Sequence, residues 1–271
     1  MPEVIEVDFL REEVSNLLKG KEICEVSLKK ASLSNMSEVN FSDILKGKHI
    51  TGARRKGKVL IIDLSGGFSI LIHFLLTGFM RIYKECPNDI QVSIRFCDGI
   101  CLGIGGIMMG GFVKVVPSES IFAEEGVKEL GIDVLDPCFT AEKFAQIVRL
   151  NRNKRIKAVL MDQHIIAGLG NAYSDEILFQ ARVRPDRKCS TLRDEEILAI
   201  YKSIGKVFEE SRSYGGESEL SFVHLDGRRG EFHEHFKVHK QENKDCPECG
   251  GKIVVMKIGG RGSYFCPNCQ K

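Results

Sequence analysis

Cys246-Pro-Glu-Cys249, then sixteen residues, then Cys266-Pro-Asn-Cys269 close a chain of 271 residues. Two CxxC knuckles at this spacing bring four thiolates to one tetrahedral zinc. The segment between them, Gly250 to Phe265, holds a β-branched run (Ile253-Val-Val), a glycine-rich turn (Gly259-Gly-Arg-Gly262) and an aromatic second run, the pattern of a hairpin. A ribbon this small cannot fold on burial alone, so the metal supplies its folding energy. Four sulfurs leave no open coordination position, and a single structural Zn2+ is expected. The other six cysteines, Cys24, Cys86, Cys97, Cys101, Cys138 and Cys189, lack ligand spacing and read as small core or surface residues.

Upstream of the ribbon the charge is unevenly spread. The chain totals 39 Lys+Arg against 37 Asp+Glu, a net +2 that argues against a strongly basic binder taken as a whole. Yet six basic residues and no acidic one lie between Leu45 and Lys58, and eight basic against four acidic between Leu150 and Lys188. Arg228, Arg229, Lys237, Lys240, Lys244, Lys252, Lys257 and Arg261 add a third basic stretch. Three such stretches beside a zinc ribbon favour a polyanionic partner. With 43% hydrophobic residues the chain can bury a real core, which excludes a disordered or fibrous class. No secretory leader is evident at Met1-Pro-Glu, and no apolar run reaches the roughly 18 residues of a membrane span. A cytoplasmic location with reduced thiols is expected.

Three regions emerge along the chain. Val7, Leu10, Val14, Leu17 and Leu18 predict a helix within residues 1–20, closed by Gly20. From Glu22 to Val116 the pattern is β: Val59–Leu64, Phe68–Phe74, Ile90–Phe96 and Phe112–Val116 read as strands, with Gly66-Gly67 and Asp98-Gly99 as turns. Beyond Pro117 the pattern turns helical, over Ala141–Leu150, Ile156–Asp162, Ala172–Gln180 and Leu192–Ser211, with Thr140 as a cap. The reading is an α+β multidomain chain: an N-terminal β-sandwich over 1–116, a linker 117–135, a helical domain 136–225, and a C-terminal segment 226–271 holding the zinc finger at 246–269. Two decoys fall away. Gly52-Ala-Arg-Arg-Lys-Gly57-Lys58 has Val59 where a P-loop needs Ser or Thr, and His233, His235 and His239 sit beside a metal site that is already complete.

The chemistry is sharpest at the amino end. Methionine before proline is normally removed, which leaves Pro2 a free secondary amine titrating near ~8, nucleophilic at neutral pH. Attack of that amine on an aldehyde carbon gives an iminium, an electron sink for elimination, and the adjacent Glu3 can relay protons. Met1-Pro-Glu-Val-Ile-Glu-Val7, Lys58, Ile72-His-Phe-Leu-Leu-Thr-Gly78, Leu160-Met-Asp-Gln163 with Ala167-Gly-Leu-Gly-Asn-Ala-Tyr-Ser-Asp-Glu176, and the terminal ribbon follow one another over essentially the whole chain. Together they resemble the formamidopyrimidine-DNA glycosylase/endonuclease VIII family of bacterial base-excision repair.

That resemblance implies a β-sandwich, a helix–two-turn–helix domain and a β-hairpin zinc finger, with double-stranded DNA carrying damaged bases or abasic sites as partner and a monomer acting alone in the cytoplasm on the nucleoid. It implies Pro2 as nucleophile at the deoxyribose C1′, Glu3 as general acid/base and Glu6 as a second acidic position. Lys58, His73, Asn171, Lys257 and Arg261 fall on phosphate-contact positions, and Leu76 on that of the wedge filling the space of the flipped base. The implied activity is that of a bifunctional glycosylase/AP lyase for oxidised purines, with β,δ-elimination. An endonuclease VIII-like preference for oxidised pyrimidines and a non-catalytic damage-binding module are the alternatives. The sequence departs from the family pattern at Ile5 and Asp8, at Leu76 in place of methionine, and at His239 in place of a tyrosine. Gly105–Phe112 lacks the arginine that reads the orphaned base, with Met108 or Met109 as a wedge or as core. Residues 214–233 read either as a lesion-capping loop or as a plain mobile connection.

Overall fold

The computed structural model describes residues 2–108, 110–219 and 222–271. Its contacts divide the chain into two units, residues 1–128 with 215–231, and residues 129–214 with 232–271. The division differs from the sequence reading, which carries the helical domain through residue 225: the chain leaves the helical unit after Tyr214 and returns to the first for seventeen residues.

The first unit begins with helix α1, Val4–Leu17. Val7, Leu10 and Val14 share its buried face, and Glu3 with Glu6 closes a capping box over its first turn. There follow β1 (Ile23–Leu28), α2 (Glu38–Leu45), β2 (Ile50–Lys56), β3 (Val59–Leu64), β4 (Phe68–His73), β5 (Phe79–Tyr83), β6 (Val92–Phe96), β7 (Cys101–Gly105) and β8 (Phe112–Pro117). Two antiparallel four-stranded sheets result, ordered β1-β6-β7-β5 and β2-β3-β4-β8. Leu60, Ile62, Ile70 and Ile72 from one share a core with Ile94, Leu102 and Ile104 from the other, which makes the sandwich. Alternate residues of β7 are glycine for a packing reason. A Cβ on Gly103 would stand 2.7 Å from the Tyr83 ring, and one on Gly105 2.8 Å from Phe79. Helix α2 breaks the all-β reading of 22–116: Ser37 caps it by accepting the Asn40 N–H, and Phe41 and Leu45, one turn apart, bury its inner face.

Four of the six bystander cysteines need correction. Cys24 is bonded to Cys97 and Cys86 to Cys101, with Cα separations of 5.1 and 5.7 Å. Pairing of β1 with β6 brings the first couple together across 73 residues, a proximity that spacing along the chain does not encode. Cys138 and Cys189 remain free thiols.

The second unit places β9 (Ile132–Asp133) parallel to β10 (Ile166–Ala167), around α3 (Ala141–Leu150), α4 (Ile156–Met161), α5 (Asn171–Gln180) and α6 (Asp194–Ser213). Thr140 caps α3 as expected, accepting the Lys143 N–H at 3.2 Å. Strands β11 (Val254–Ile258) and β12 (Arg261–Phe265) form the predicted hairpin. Phe179 of α5 packs with Val238, Cys246, Ile253 and Cys266, so the ribbon and α5 share one small core.

A buried polar cluster ties the same elements. The Lys157 ammonium, fully buried on α4, donates to Asp175 Oδ1 at 2.5 Å and to the Gly262 carbonyl at 3.3 Å. Asp175 also accepts from His239 Nδ1 at 2.7 Å and from the Tyr264 N–H at 3.2 Å. Neighbouring Glu176 accepts three consecutive backbone N–H groups, of Lys237, Val238 and His239. Burial pushes its proton affinity up while those donors pull it down. Removing one partner of a buried ion pair strands the other charge. Asp175→Ala is therefore expected to destabilise this unit by about 3–5 kcal/mol, read as a lowered urea midpoint at unchanged slope.

Candidate active site

Glu3 is the N-cap of α1 and is buried together with Pro2. Its backbone N–H donates to Glu6 Oε2 at 2.8 Å, and its carboxylate receives the Glu6 N–H. The second Glu6 oxygen accepts the N–H of Glu217 at 2.9 Å. Glu6 therefore anchors backbone on two sides, fixing the Pro2–Glu3 end of the helix against the returning segment. The Glu217 carboxyl is itself buried, and desolvation followed by the nearby Glu6 charge holds its proton affinity above the usual carboxylate range. Met1 lies outside the described residues.

Lys58 sits in the turn between β2 and β3 and is buried, next to Val59, whose partner across the sheet is His73. Burial pushes the His73 imidazole down to about 4, and the Lys58 charge pushes the same way. The Gly110 backbone, accepting a ring hydrogen bond, pulls the other way; His73 is thus neutral at pH 7, with its single ring N–H committed to Gly110. Leu76 projects from the turn after β4, 49% exposed, next to Leu75, whose φ of 52° is left-handed. Met108 is 51% exposed in the loop before β8. Its neighbour Met109, the other wedge considered, lies outside the described residues.

In the second unit Asn171 opens α5, and its Nδ2 donates to the Gly262 carbonyl at 3.1 Å. Arg261 pairs with Ile258 across the hairpin and Lys257 with Gly262, so Asn171, Lys257 and Arg261 gather around one turn. Both charged side chains there are exposed. The basic stretches read from sequence are less available than their counts suggest. Arg54 is held by Asp63 through two hydrogen bonds of 2.8 Å, and Arg55 reaches Asp8. Lys154 pairs with Asp162, Arg184 with Asp186 and Arg187 with Glu196. Much of the apparent basic lining is internal pairing, which sequence counts cannot distinguish from free charge.

The sulfurs of Cys246, Cys249, Cys266 and Cys269 lie within 4.8 Å of one another, with Cys246–Cys269 at 3.8 Å and Cys249–Cys266 at 3.5 Å. Tetrahedral ligands at the ~2.3 Å zinc–sulfur distance are separated by about this much. The four cysteines hold one structural zinc.

Comparison with known proteins agrees with this layout. The model for the formamidopyrimidine-DNA glycosylase N-terminal domain matches residues 1–104, that for the H2TH domain of the same enzyme residues 130–222, and that for the zinc finger found in FPG and IleRS residues 244–271. A formamidopyrimidine-DNA glycosylase of Pelotomaculum thermopropionicum is 35% identical over 276 residues, spanning 100% of this chain and 99% of its own. The chain belongs to the formamidopyrimidine-DNA glycosylase family. A second member, from Listeria monocytogenes, is 34% identical over the full length of both. Among solved structures, the Lactococcus lactis Fpg in complex with an abasic site containing DNA superposes with a TM-score of 0.89 at 26% identity, over 99% of each chain. The complex of the wild-type Lactococcus lactis Fpg with a N7-benzyl-Fapy-dG containing DNA gives 0.90 at 26% identity over 100% of each.

The sequence reading missed the Glu6–Glu217 contact, since nothing in the spacing signals a partner 211 residues away. It also counted Lys157 among the basic stretch, whereas the side chain is wholly buried.

Proposed function

We propose that this protein is a bifunctional glycosylase and AP lyase that excises oxidised bases from double-stranded DNA through Pro2. The observation carrying the reading is the Pro2–Glu3 pair held at the start of α1 by both oxygens of Glu6, in a chain aligned end to end with formamidopyrimidine-DNA glycosylases. The positive end of the α1 dipole disfavours further positive charge beside it, which favours the neutral, nucleophilic amine at Pro2. That amine attacks C1′, and the bond from C1′ to the base breaks as the base leaves with a proton. Glu3 protonates the ring oxygen, the sugar opens, and an iminium joins Pro2 to C1′. Loss of a C2′ proton expels the 3′ phosphate, and loss of a C4′ proton then expels the 5′ phosphate. The target nucleotide must leave the base stack before C1′ is accessible, and Leu76 is the apolar side chain offered to the vacated space.

Phosphate binding falls to Lys58, His73, Asn171, Lys257 and Arg261. His73, neutral, brings no charge to a phosphate. The Asn171 amide carries two hydrogens, one committed to Gly262 and one for a phosphate oxygen. Arg261→Ala is expected to weaken DNA binding uniformly across sequences and to reduce the slope of log K against log salt by about 1, read by fluorescence anisotropy over a salt series.

Oxidised purines are the favoured substrates. Oxidised pyrimidines form the second reading, since the similar Lactococcus lactis Fpg is also solved in complex with an oxidised pyrimidine containing DNA. No arginine lies in residues 105–112 to read the orphaned base by bidentate contact, so discrimination of the opposite base should be weak. A panel of 8-oxoguanine, formamidopyrimidine and oxidised pyrimidine duplexes against each opposite base tests both points. Purine excision faster than pyrimidine, with little dependence on the opposite base, is expected. Faster pyrimidine excision overturns the purine preference.

A further inference from the structure

The segment that returns to the first unit is docked on α1 at two points two helical turns apart. Residues i and i+7 share one helix face, and the two anchors are Glu6 and Glu13. Glu6 takes the Glu217 N–H at 2.9 Å. Glu13 takes the Leu225 N–H at 2.8 Å through Oε2 and faces His224 Nδ1 at 2.6 Å through Oε1. Phe9, between the anchors on the same face, meets the His224 ring edge-on at 5.1 Å, and Phe222 meets it likewise at 5.1 Å.

The other nitrogen of His224 decides its state. Nε2 lies 2.9 Å from the carbonyl oxygen of Gly215, an atom that can only accept. Nδ1 faces a carboxylate. A neutral imidazole has one donor and one acceptor nitrogen, so only the imidazolium satisfies both partners. The ring is 6% exposed, so water does not substitute freely. One cation thus joins three stretches: the start of the segment at Gly215, its middle at His224–Leu225, and α1 at Glu13. The segment also closes on itself, with Glu217 bridged to Glu231 and the Gly230 N–H donated to Ser218 Oγ at 2.7 Å.

We propose that His224, as an imidazolium, latches Gly215 and the His224–Leu225 stretch onto the helix that carries Pro2 and Glu3, and is a positioning residue for base excision but not for cleavage at an abasic site. The role rests on the glycosylase/lyase reading above: a damaged base has to be held while its bond to C1′ breaks, whereas an abasic site presents no base to hold. The charged groups around the ring are Glu13 from α1 and, from the segment itself, Arg228, which is paired with Asp226 at 2.6 Å. The hydrogen bond to Glu13 leads in holding the proton on the ring, burial opposes it, and the Glu13 charge adds to it, for a net upward shift. The sign follows. A histidine raised on docking contributes fully below its ordinary range, and the contribution is lost as pH rises through the raised value.

The first test needs no substrate, so it fails or succeeds apart from the glycosylase reading. In 15N-labelled free protein, both His224 ring nitrogens are expected to carry protons at neutral pH, losing one only above the ordinary value of about 6.5. Glu13→Gln should move that transition down. A ring already neutral at about pH 6.5 overturns the latch, even if no variant folds well enough for kinetics. The second test is His224→Gln at about pH 6.5 in single-turnover assays. Excision of an oxidised base should fall about tenfold or more, while cleavage of a pre-formed abasic site changes by less than about twofold. As pH rises, excision by the parent protein should fall toward that of the variant. Equal losses in both reactions, or an unchanged ratio between them at every pH, overturn the positioning role.

Discussion

Glu3→Gln is expected to slow excision of an oxidised base by about 10²–10⁴-fold while leaving cleavage of a pre-formed abasic site far less affected, whereas Pro2→Gly should slow both, since the Pro2 amine displaces the base and also forms the iminium. The structure makes the comparison clean. Glu3 caps α1 by accepting the Glu6 N–H, and the glutamine amide oxygen can still accept it, so the variant keeps the helix start and loses only the exchangeable proton. Glycine at position 2 leaves a primary amine without the ring that fixes the nitrogen, and the lyase step should fall by of order 10³. Rates on duplexes carrying 8-oxoguanine and on abasic duplexes, measured side by side, separate the two roles. Normal excision by Glu3→Gln would show that another group moves the proton, and Glu217, buried beside Glu6, would be next to examine.

Loss of zinc should have the second large effect. Cys266 is fully buried, shares a small core with Phe179 and Val238, and stands 3.5 Å from the Cys249 sulfur. Structural zinc contributes roughly 10–16 kcal/mol in ribbons of this kind, more than so small a core can replace. Cys266→Ser, or stripping of the metal by a chelator, should unfold the hairpin and displace Lys257 on β11 and Arg261 on β12, one on each side of its turn. DNA affinity should drop by two orders of magnitude or more (about 3 kcal/mol for two phosphate contacts and their shared scaffold). Binding isotherms with measured zinc content decide it, and full affinity in a zinc-free protein would show that the ribbon is dispensable. Asp175→Ala provides a control of different origin, since it strains the same region through a stranded lysine with the four sulfurs untouched.

How much of this was legible from residues alone varies with the range of the interaction. The knuckles carry their ligand geometry in their spacing, and Thr140 announces α3 through a bond to a residue three away. Asp98-Gly99 and Gly66-Gly67 likewise mark their turns, with all three glycines at positive φ. Helix α2 was hidden because eight residues inside a β-rich stretch carry too short a pattern to stand out, although Ser37 is an ordinary cap. Long-range pairing left no trace. Cys24 meets Cys97 only because β1 lies against β6, and Glu13 meets His224 across 211 residues. Charge counts were legible but misleading: Arg54, Arg55 and Lys157 look like part of a basic surface, and each is committed to an acid within its own unit. What remains for an anion is a shorter set, and it includes Lys257 and Arg261.

The central claim is that the amine of Pro2 forms a covalent iminium with the sugar, and borohydride reduction on an abasic-site duplex tests it most directly. The expected result is a stable protein–DNA adduct whose mass places the sugar on Pro2, with Met1 absent, and which disappears in a variant whose amino terminus is blocked. A correctly processed amino terminus that yields no adduct, or an adduct mapped to any other residue, would contradict the account.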